Sequence, residues 1–529
     1  MRWRQSVQKM LPWTVWFFLG AQFDVAAANP DDQIEVNWFE RGQPTALVDQ
    51  ALAVMQAADL DGLDPEDYQV TKLRQDIQAI QDASTGTDQA QAIAQLEHNL
   101  MTNLTHFFED LSNGRVKPQE VHHKYDVKTV KSVDAQALTH QALLSGNLGL
   151  TVEQAKPMFP LYGQLRQWLA KYRALGEPSA WDQPLVMPRG KKLTSGQPYQ
   201  DLARLKERLV ILGDLYQPAS TQAEEEPDTI YDTQTEDAIK RFQARHGLTV
   251  DGVIGPATLA ALQVSPKERA EQIALSMERL RWTPLTQGER VLVVNIPGYT
   301  LYGYEVQADD DVNLRLQMPV IVGRAGRLAT PVFDETMRYI EFSPYWNIPI
   351  SIARGETMPA IERDPDYFTR QQMEFVSRDG KVYTDVTPDH LEAVQRGEMR
   401  IRQRPGRSNA LGGVKFIFPN SMNIYMHHTP STGLFARSQR DFSHGCIRVE
   451  DPVALAQFVL QNDVEWDEAR IRRAMNTGRS VTLKLKEPVP VVIAYSTVMI
   501  GTDGQIAFYP DIYGHDKRLS QALNRHHGK

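Results

Sequence analysis

The sequence predicts a multidomain α+β protein in which a helical region, a three-helix module and a mostly β domain with an inserted segment follow one another. Three observations support this prediction. The 529 residues exceed the roughly 250 to 300 at which a single hydrophobic core stops growing. Apolar residues recur every three or four positions in the first half of the chain and alternate after residue 289. Segments rich in proline and glycine separate the regions.

Residues 1–28 have the order of a secretory signal. Basic residues between Arg2 and Lys9 precede an apolar run of residues 10–21, and the small residues 26–28 offer a cleavage site. The run is too short to span a bilayer comfortably, and no later stretch approaches the ~20 apolar residues of a spanning helix. The sequence therefore predicts export from the cytoplasm, with a retained membrane anchor as the alternative.

The composition and net charge of the chain indicate which kinds of partner it can bind. The chain is 42% hydrophobic, which is ordinary for a globular protein, and its net charge of -9 argues against a nucleic-acid surface.

Residues 35–190 are predicted to form a helical scaffold domain. The segments "TALVDQALAVMQAADLDGLDPEDY" and "QAIAQLEHNLMTNLTHFFEDLSNG" have helical apolar spacing, and Gly114 is placed to end the second helix. No catalytic set of residues stands out in this region, so a scaffold role is the interpretation.

Residues 199–264 are predicted to form the three-helix module. Two amphipathic helices, "YQDLARLKERLVILG" and "TQTEDAIKRFQARHG", precede a third that begins at Pro256. The stretch "AIKRFQARHGLTVDGVIGPATLAAL" closely resembles the peptidoglycan-binding type 1 module, a cell-wall domain. This resemblance implies a cell-wall ligand, and a spacer without a ligand is the alternative.

Residues 288–486 are predicted to form the mostly β domain, because "RVLVVNIPGYTLYGYEV" and "MPVIVGR" carry β-branched and aromatic residues between turn residues. Residues 351–413 form a long polar insertion, which predicts a lid or binding loop. Residues 487–529 are predicted to be a C-terminal extension that packs on the β domain or the scaffold.

Cys446 in "SHGCIRVEDP" is the only cysteine of the chain. An unpaired cysteine in an exported protein suggests a reactive thiol, and a buried structural cysteine is the alternative. If "SMNIYMHH" is a strand, its Met and Ile side chains face the core, which turns Tyr425 and His427 toward a cleft and leaves His428 a backbone or packing role.

A thiol and a histidine suffice for nucleophilic catalysis, because a base must take the proton of a thiol whose pKa is ~8.5. His427 is predicted to be that base. Gly445 allows the tight turn that brings backbone N–H groups to a developing oxyanion. A zinc site built from His427, His428, His444 and Cys446 is a competing interpretation, although no further metal-binding motif accompanies these residues.

A histidine followed some fifteen residues later by S-H-G-C resembles the signature of the YkuD-type L,D-transpeptidases, and the layout of the chain resembles their large periplasmic YcbB-like subfamily. The signature usually ends in asparagine two residues past the cysteine, where this chain has Arg448, whose role stays open.

The resemblance implies Cys446 as nucleophile and His427 as proton donor and acceptor, with the His428 carbonyl orienting the His427 ring. It implies an oxyanion hole or substrate-binding set that consists of Ser443, His444, Gly445, Cys446, Tyr425 and Arg448. The insertion would be a substrate cap. No metal or organic cofactor is implied.

The implied reaction joins two tetrapeptide stems of peptidoglycan through a 3-3 cross-link between diaminopimelate residues, with release of terminal D-Ala. Carbapenem inhibitors would acylate the same thiol, and other periplasmic cell-wall synthesis proteins would be partners. Alternatives are an L,D-carboxypeptidase, a lipoprotein-anchoring enzyme, a zinc-dependent peptidoglycan peptidase and a non-catalytic wall-binding protein. The basic residues Arg437, Arg440 and Arg448 suit a donor with free carboxylates, and surface or structural roles are the alternative.

Overall fold

The computed structural model describes residues 37–529 except 83–86, 123, 128–131, 188–189, 191, 217–228, 284–287, 307–311 and 527–529. The predicted signal, residues 1–28, lies outside the described residues. Within the described ranges, no helix is both long enough and apolar enough to cross a membrane.

The first region is mainly helical, as predicted. Its elements are β1 (Phe39–Glu40), β2 (Gln43–Pro44), α1 (Ala46–Gln56), α2 (Val70–Asp82), α3 (Thr87–Asn113), α4 (Pro118–Val121), β3 (Tyr125–Asp126), α5 (Ala135–Ser145), α6 (Leu148–Ala155) and α7 (Pro160–Leu175). The long helix α3 stops at Gly114, whose N–H donates to the Asp110 carbonyl. The apolar stripes of these helices therefore bury against one another as their spacing indicates.

Three helices follow within residues 199–264, the range of the predicted module. They are α8 (Leu202–Ile211), α9 (Thr233–Arg245) and α10 (Pro256–Gln263). Asp232 caps α9 by accepting from the Thr235 N–H at 2.7 Å, and Pro256 occupies the first turn of α10. Leu205, Ile239 and Phe242 are fully buried in a core of their own.

Helix α11 (Pro266–Arg281) links this module to the β domain. It begins with a capping box between Ser265 and Glu268. Its far end buries a Glu278–Arg281 pair at 2.7 Å, and the Glu278 carboxylate also accepts the Val116 N–H of the scaffold at 3.2 Å. Arg279 of the same helix pairs with Asp516 near the C-terminus at 2.5 Å, so α11 contacts both the scaffold and the C-terminal part of the chain.

The β domain is built around one large sheet. Its strands are β4 (Arg290–Asn295), β5 (Thr300–Val306), β6 (Val312–Gly323), β7 (Val332–Phe342), β12 (Val414–Ile417), β13 (Met426–His427), β14 (Asp441–Ser443), β15 (Ile447–Val449) and β16 (Val481–Ala494). The order is β12-β13-β15-β6-β5-β4-β16-β7-β3, and β12 also pairs with β7, which closes the path into a ring. Two helices, α16 (Pro452–Leu460) and α17 (Glu468–Met475), connect β15 to β16. One strand of this sheet, β3, comes from the scaffold and pairs with β7.

The insertion between β7 and β12 is a folded unit with its own sheet, β10-β9-β11-β8. Its elements are β8 (Trp346–Asn347), α12 (Ile350–Ile352), a π-helical turn (Ala353–Thr357), α13 (Met358–Arg363), α14 (Asp366–Arg370), β9 (Met373–Ser377), β10 (Val382–Tyr383), α15 (Pro388–Arg396) and β11 (Met399–Gln403). Phe368 and Phe375 stack at 4.6 Å inside a separate core. The unit begins near Trp346, before the predicted residue 351, because β8 pairs with β11.

The C-terminal part also differs from its predicted start at residue 487. Strand β16 continues to Ala494, with a register irregularity between Lys484 and Val489 where "KEPVP" suggests a break. The elements after it are β17 (Val498–Ile500), β18 (Ile506–Phe508) and α18 (His515–His526). Phe508 lies in one core cluster with residues of α7 and α11, so this part packs on the scaffold. The predicted multidomain α+β class is confirmed.

Candidate active site

On four neighbouring strands of the large sheet, one face carries apolar side chains and the opposite face carries charged side chains and a histidine. Across β7, β12, β13 and β15, the paired residues Ile340, Phe416, Met426 and Ile447 are fully buried in the core. The next pairs in register are Glu341, Lys415, His427 and Arg448. Because side chains alternate across a strand, these four residues share the opposite face. The sheet therefore places His427 between two cations.

His427 is held by its neighbour's backbone. Its Nδ1 lies 2.5 Å from the His428 carbonyl oxygen. A carbonyl can only accept, so Nδ1 carries the proton and Nε2 keeps the lone pair of a base. The side chain is 5% exposed, and burial, assisted by the Arg448 charge, lowers the pKa of His427 to about 3. The imidazole is therefore neutral near neutral pH.

A tight turn presents Cys446 two residues before Arg448, the register partner of His427. Gly445 has φ +116, a region that favours glycine. Ser443 Oγ accepts the Gly445 N–H at 3.1 Å and donates to the Cys446 carbonyl. Thr330 Oγ1 accepts the Gly323 N–H and donates to the Gly445 carbonyl, both at 2.8 Å. The turn is thus fixed from both sides.

Two groups of the predicted site set make hydrogen bonds within the turn itself. The Gly445 N–H is engaged by Ser443, so the His444 and Cys446 N–H groups stay the candidate oxyanion donors. Ser443 is buried, and its hydroxyl is used inside the turn, so it positions the loop and does not face a substrate.

Cys446 Sγ lies 3.7 Å from the Asn423 carbonyl oxygen. Burial raises the pKa of the Cys446 thiol, while a hydrogen bond with Tyr425 and the charges of Lys415 and Arg448 act in the opposite direction. Within the described part of the chain, no hydrogen bond joins Sγ to His427. The resting pair is therefore a protonated thiol near a neutral imidazole.

Alkylation of this thiol tests its protonation state. The thiolate is the reacting form and burial raises the pKa of Cys446, so the rate of modification by iodoacetamide should keep rising with pH beyond the ordinary thiol pKa of about 8.5. Cys446 is the only thiol of the chain, so intact mass counts a single adduct. A rate that levels off below that pH would indicate an activated thiolate instead.

Tyr425 and Lys415 form the wall next to the thiol. The Lys415 ammonium lies 4.2 Å from the centre of the Tyr425 ring. Burial raises the pKa of the Tyr425 hydroxyl, and the charge of Cys446 acts in the same direction. The strand here has only two residues, shorter than the predicted "SMNIYMHH", because Asn423 adopts a left-handed φ of 56° just before it.

The three nearby arginines have different surroundings. Arg440 donates to the Val320, Tyr299 and Arg437 carbonyls, so its guanidinium stabilises a loop and is already occupied by protein acceptors. Arg437 is exposed and lies over the Phe442 ring at 5.5 Å. Arg448 Nε is buried without an acceptor among the described residues, and burial lowers the pKa of its guanidinium.

The residues of the proposed zinc set do not converge. His427 Nδ1 contacts a backbone carbonyl, His428 Nδ1 accepts the Gly413 N–H at 3.1 Å, and His444 Nε2 lies 2.6 Å from Glu356 Oε1. Among the residues described, no group of three or more His, Cys, Asp or Glu side chains is arranged to hold a metal ion.

The insertion reaches this site at two places. Glu356, from its π-helical turn, contacts His444 of the cysteine loop. At its root, the Ser343 N–H donates to the Gly413 carbonyl at 2.8 Å, so the two ends of the insertion lie side by side. Trp346, at its first strand, hydrogen-bonds Tyr425 and opposes the rise in the pKa of that hydroxyl.

Sequence analysis missed three contributors to the site: Lys415, Thr330 and Glu356. Lys415 alternates with the buried Val414 and Phe416, so its outward direction was readable. Thr330 and Glu356 carry no local signal, since they lie 115 and 88 residues from the atoms that they contact.

Three family models match the chain. Residues 289–493 match the YkuD family, described as an L,D-transpeptidase catalytic domain, and residues 31–169 match a family described as a scaffold domain. Residues 198–262 match a "Putative peptidoglycan binding domain".

A curated relative from Haemophilus influenzae, named "Putative L,D-transpeptidase", is 33% identical over 252 residues. The match covers 48% of this chain and 49% of that protein, so it spans about half of each.

Two solved structures share little with the chain. A fused Zn-dependent amidase/peptidase/peptidoglycan-binding domain-containing protein from Clostridium acetobutylicum has a TM-score of 0.18 at 12% identity and covers 57% of this chain and 99% of its own. Bdellovibrio bacteriovorus Bd1075 has a TM-score of 0.17 at 14% identity and covers 45% of this chain and 55% of its own. These TM-scores are too low to indicate a shared fold.

Proposed function

We propose that this chain, in which residues 289–493 form a YkuD-type L,D-transpeptidase catalytic domain and residues 198–262 a peptidoglycan-binding domain, makes 3-3 cross-links in peptidoglycan through a cysteine acyl-enzyme. One observation carries the proposal: the sole thiol of the chain stands in a fixed turn of that domain, two residues before the register partner of a histidine whose proton position leaves Nε2 as a base.

The first half of the reaction acylates Cys446. The thiol leaves the Asn423 carbonyl, and His427 Nε2 takes its proton as Sγ attacks the carbonyl carbon of the L-centre of diaminopimelate. The His444 and Cys446 N–H groups receive the developing oxyanion. The bond to the terminal D-Ala nitrogen breaks, and His427 returns the proton to that amine. The product is a thioester.

The second half resolves the thioester. The side-chain amine of a second stem attacks the thioester carbon and gives a proton to His427, and the carbon–sulfur bond breaks. Cys446 regains its proton from His427, and the two diaminopimelate residues are joined. His427 needs no net charge between turnovers, which agrees with the low pKa that burial gives it.

The insertion acts in this scheme as a cap over the donor stem. Three observations support this: the insertion has a core of its own, its ends at Ser343 and Gly413 lie side by side, and its Glu356 contacts His444 of the cysteine loop. Closure would exclude water, which otherwise hydrolyses the thioester to a tripeptide.

The two other regions place the enzyme at its substrate. Export through residues 1–28 would deliver the protein to the periplasm, where a peptidoglycan-binding domain can hold it at the wall.

Incubation with purified tetrapeptide muropeptides tests the proposed function. Mass spectrometry should detect cross-linked dimers together with free D-Ala. Tripeptides alone would indicate an L,D-carboxypeptidase, and unchanged substrate would indicate a non-catalytic wall-binding protein.

Removal of the cap should separate cross-linking from acylation. Residues 344–412 can be replaced by a short Gly-Ser loop, because Ser343 and Gly413 are already hydrogen-bonded at 2.8 Å. We expect dimer formation to fall far more than the rate of acylation by a small carbapenem, which needs little of the stem-binding surface. Undiminished cross-linking with an unchanged dimer-to-tripeptide ratio, in protein shown to be folded, would mean that the insertion is not a cap.

A further inference from the structure

The cap presents a carboxylate to the catalytic loop. Glu356 Oε1 lies 2.6 Å from His444 Nε2, and His444 is two residues before Cys446. The residues come from separate units, 88 positions apart in the chain. Both side chains are partly open, with 61% of Glu356 and 31% of His444 exposed. A ligand in the cleft can therefore reach this pair.

The contact leaves acceptor capacity on the carboxylate. A carboxylate offers about four lone-pair positions, and His444 uses one of them. Among the described residues, Glu356 has no second hydrogen-bond or ion-pair partner. The remaining oxygen can accept from an ammonium or amine group.

The charges near His427 on the sheet face are positive, whereas that of Glu356 is negative. Lys415 and Arg448 flank His427 there, and both are cations that favour the carboxylates of the donor stem. They disfavour an approaching ammonium. In the described part of the chain, Glu341 also has a single hydrogen-bond partner, Ser480 Oγ at 3.0 Å, but it is paired in register with the Lys415 cation, which offsets its charge. Among the described residues, Glu356 has no Lys or Arg ion-pair partner, so its negative charge is the one left for an amine.

We propose that Glu356, held by His444, binds the side-chain amine of the acceptor stem and so favours cross-linking over hydrolysis. The inference rests on the proposed function and adds the acceptor subsite to it. The ammonium donates to the free Glu356 oxygen on arrival. It loses one proton to solvent before attack, and the neutral amine then attacks the thioester and releases its second proton to His427. A neutral water molecule is not attracted by the Glu356 charge as an ammonium is, so the carboxylate favours the amine as acceptor.

Glu356→Gln tests the proposal, because glutamine keeps an oxygen for His444 and removes the negative charge. Glu362→Gln is the matched control: Glu362 is exposed on the following helix, α13, and has no ion pair among the described residues. Three quantities are measured on the full chain with tetrapeptide muropeptides: the rate of carbapenem acylation, the dimer-to-tripeptide ratio, and the ratio at increasing acceptor concentration.

We expect E356Q to lower the dimer-to-tripeptide ratio about tenfold or more, since a hydrogen bond to a charged group contributes that much to binding. Acylation should stay within about twofold of the unmodified protein, E362Q should change neither quantity, and a higher acceptor concentration should restore the ratio for E356Q. An unchanged ratio overturns the proposal, as does an equal fall in acylation, which would assign Glu356 to the loop's geometry. If the unmodified protein makes no dimers, the proposed function itself fails, and that outcome is distinct from dimers that are indifferent to Glu356.

Discussion

Cys446→Ala is expected to abolish product formation and to remove the covalent carbapenem adduct. The chain has no other thiol, so no second residue can supply the same nucleophile. The substitution keeps the turn, because Ser443 and Thr330 hold backbone groups of residues 445 and 446 and not the thiol. Intact-mass spectrometry after incubation with a carbapenem gives the readout.

Two comparisons make the Cys446→Ala result decisive. Cys446→Ser keeps a hydrogen-bonding group at the position and should also fail to accumulate an adduct, since an unactivated hydroxyl is a far weaker nucleophile than a thiol. The unmodified protein should gain the mass of one carbapenem. An adduct that persists on the alanine variant would show that another residue reacts and would remove Cys446 from the mechanism.

The sequence was informative about the site wherever alternation decides a side chain's direction. Met426 was predicted to face the core, and this gave the opposite direction for His427. The turn was readable too, because only glycine comfortably adopts the φ of +116 found at Gly445. These inferences need only the neighbouring residues.

Features that depend on distant pairing were not readable. The row from Glu341 to Arg448 exists because three strand registers align, and no local pattern states those registers. The close packing of Gly323 against the cysteine loop also depends on residues far apart in the chain. A Cβ at position 323 would lie 3.0 Å from the Gly445 Cα. The contact of Glu356 with His444 depends on how the insertion folds onto the domain.

One predicted boundary does not coincide with the end of a strand. The catalytic domain was predicted to end at residue 486, yet β16 runs through Pro488 and Pro490 to Ala494. Proline is tolerated in a strand at bulges, and the register does shift between Lys484 and Val489. Helix α11 lies between the predicted domains, and its apolar residues Ile273, Met277 and Leu280 share a core with α7.

His428 provides the control for the second large effect, the loss of the base. Its contribution to His427 is a backbone carbonyl, which survives replacement of the side chain. Its own Nδ1 accepts the Gly413 N–H at the root of the insertion, so His428→Ala leaves that donor unpaired. We therefore expect a moderate loss of activity and some loss of stability from His428→Ala.

His427→Ala, in contrast, should lower kcat by about 10²- to 10⁴-fold, the range that general acid-base help supplies. The thiol would then have to lose its proton to solvent, which is slow because burial raises the pKa of Cys446. The variant should therefore regain activity as pH rises, whereas the unmodified enzyme needs no such rise.

The stability of the folded protein in acid gives a second readout for His427→Ala. Folded His427 has a pKa of about 3 against an ordinary 6.5, so the unfolded chain binds more protons between these values and stability falls as pH drops through that window. His427→Ala should lose less stability than the unmodified protein over the same window, measured by denaturant unfolding. Equal losses of activity from His427→Ala and His428→Ala, in folded proteins, would contradict the assignment of His427 as the base.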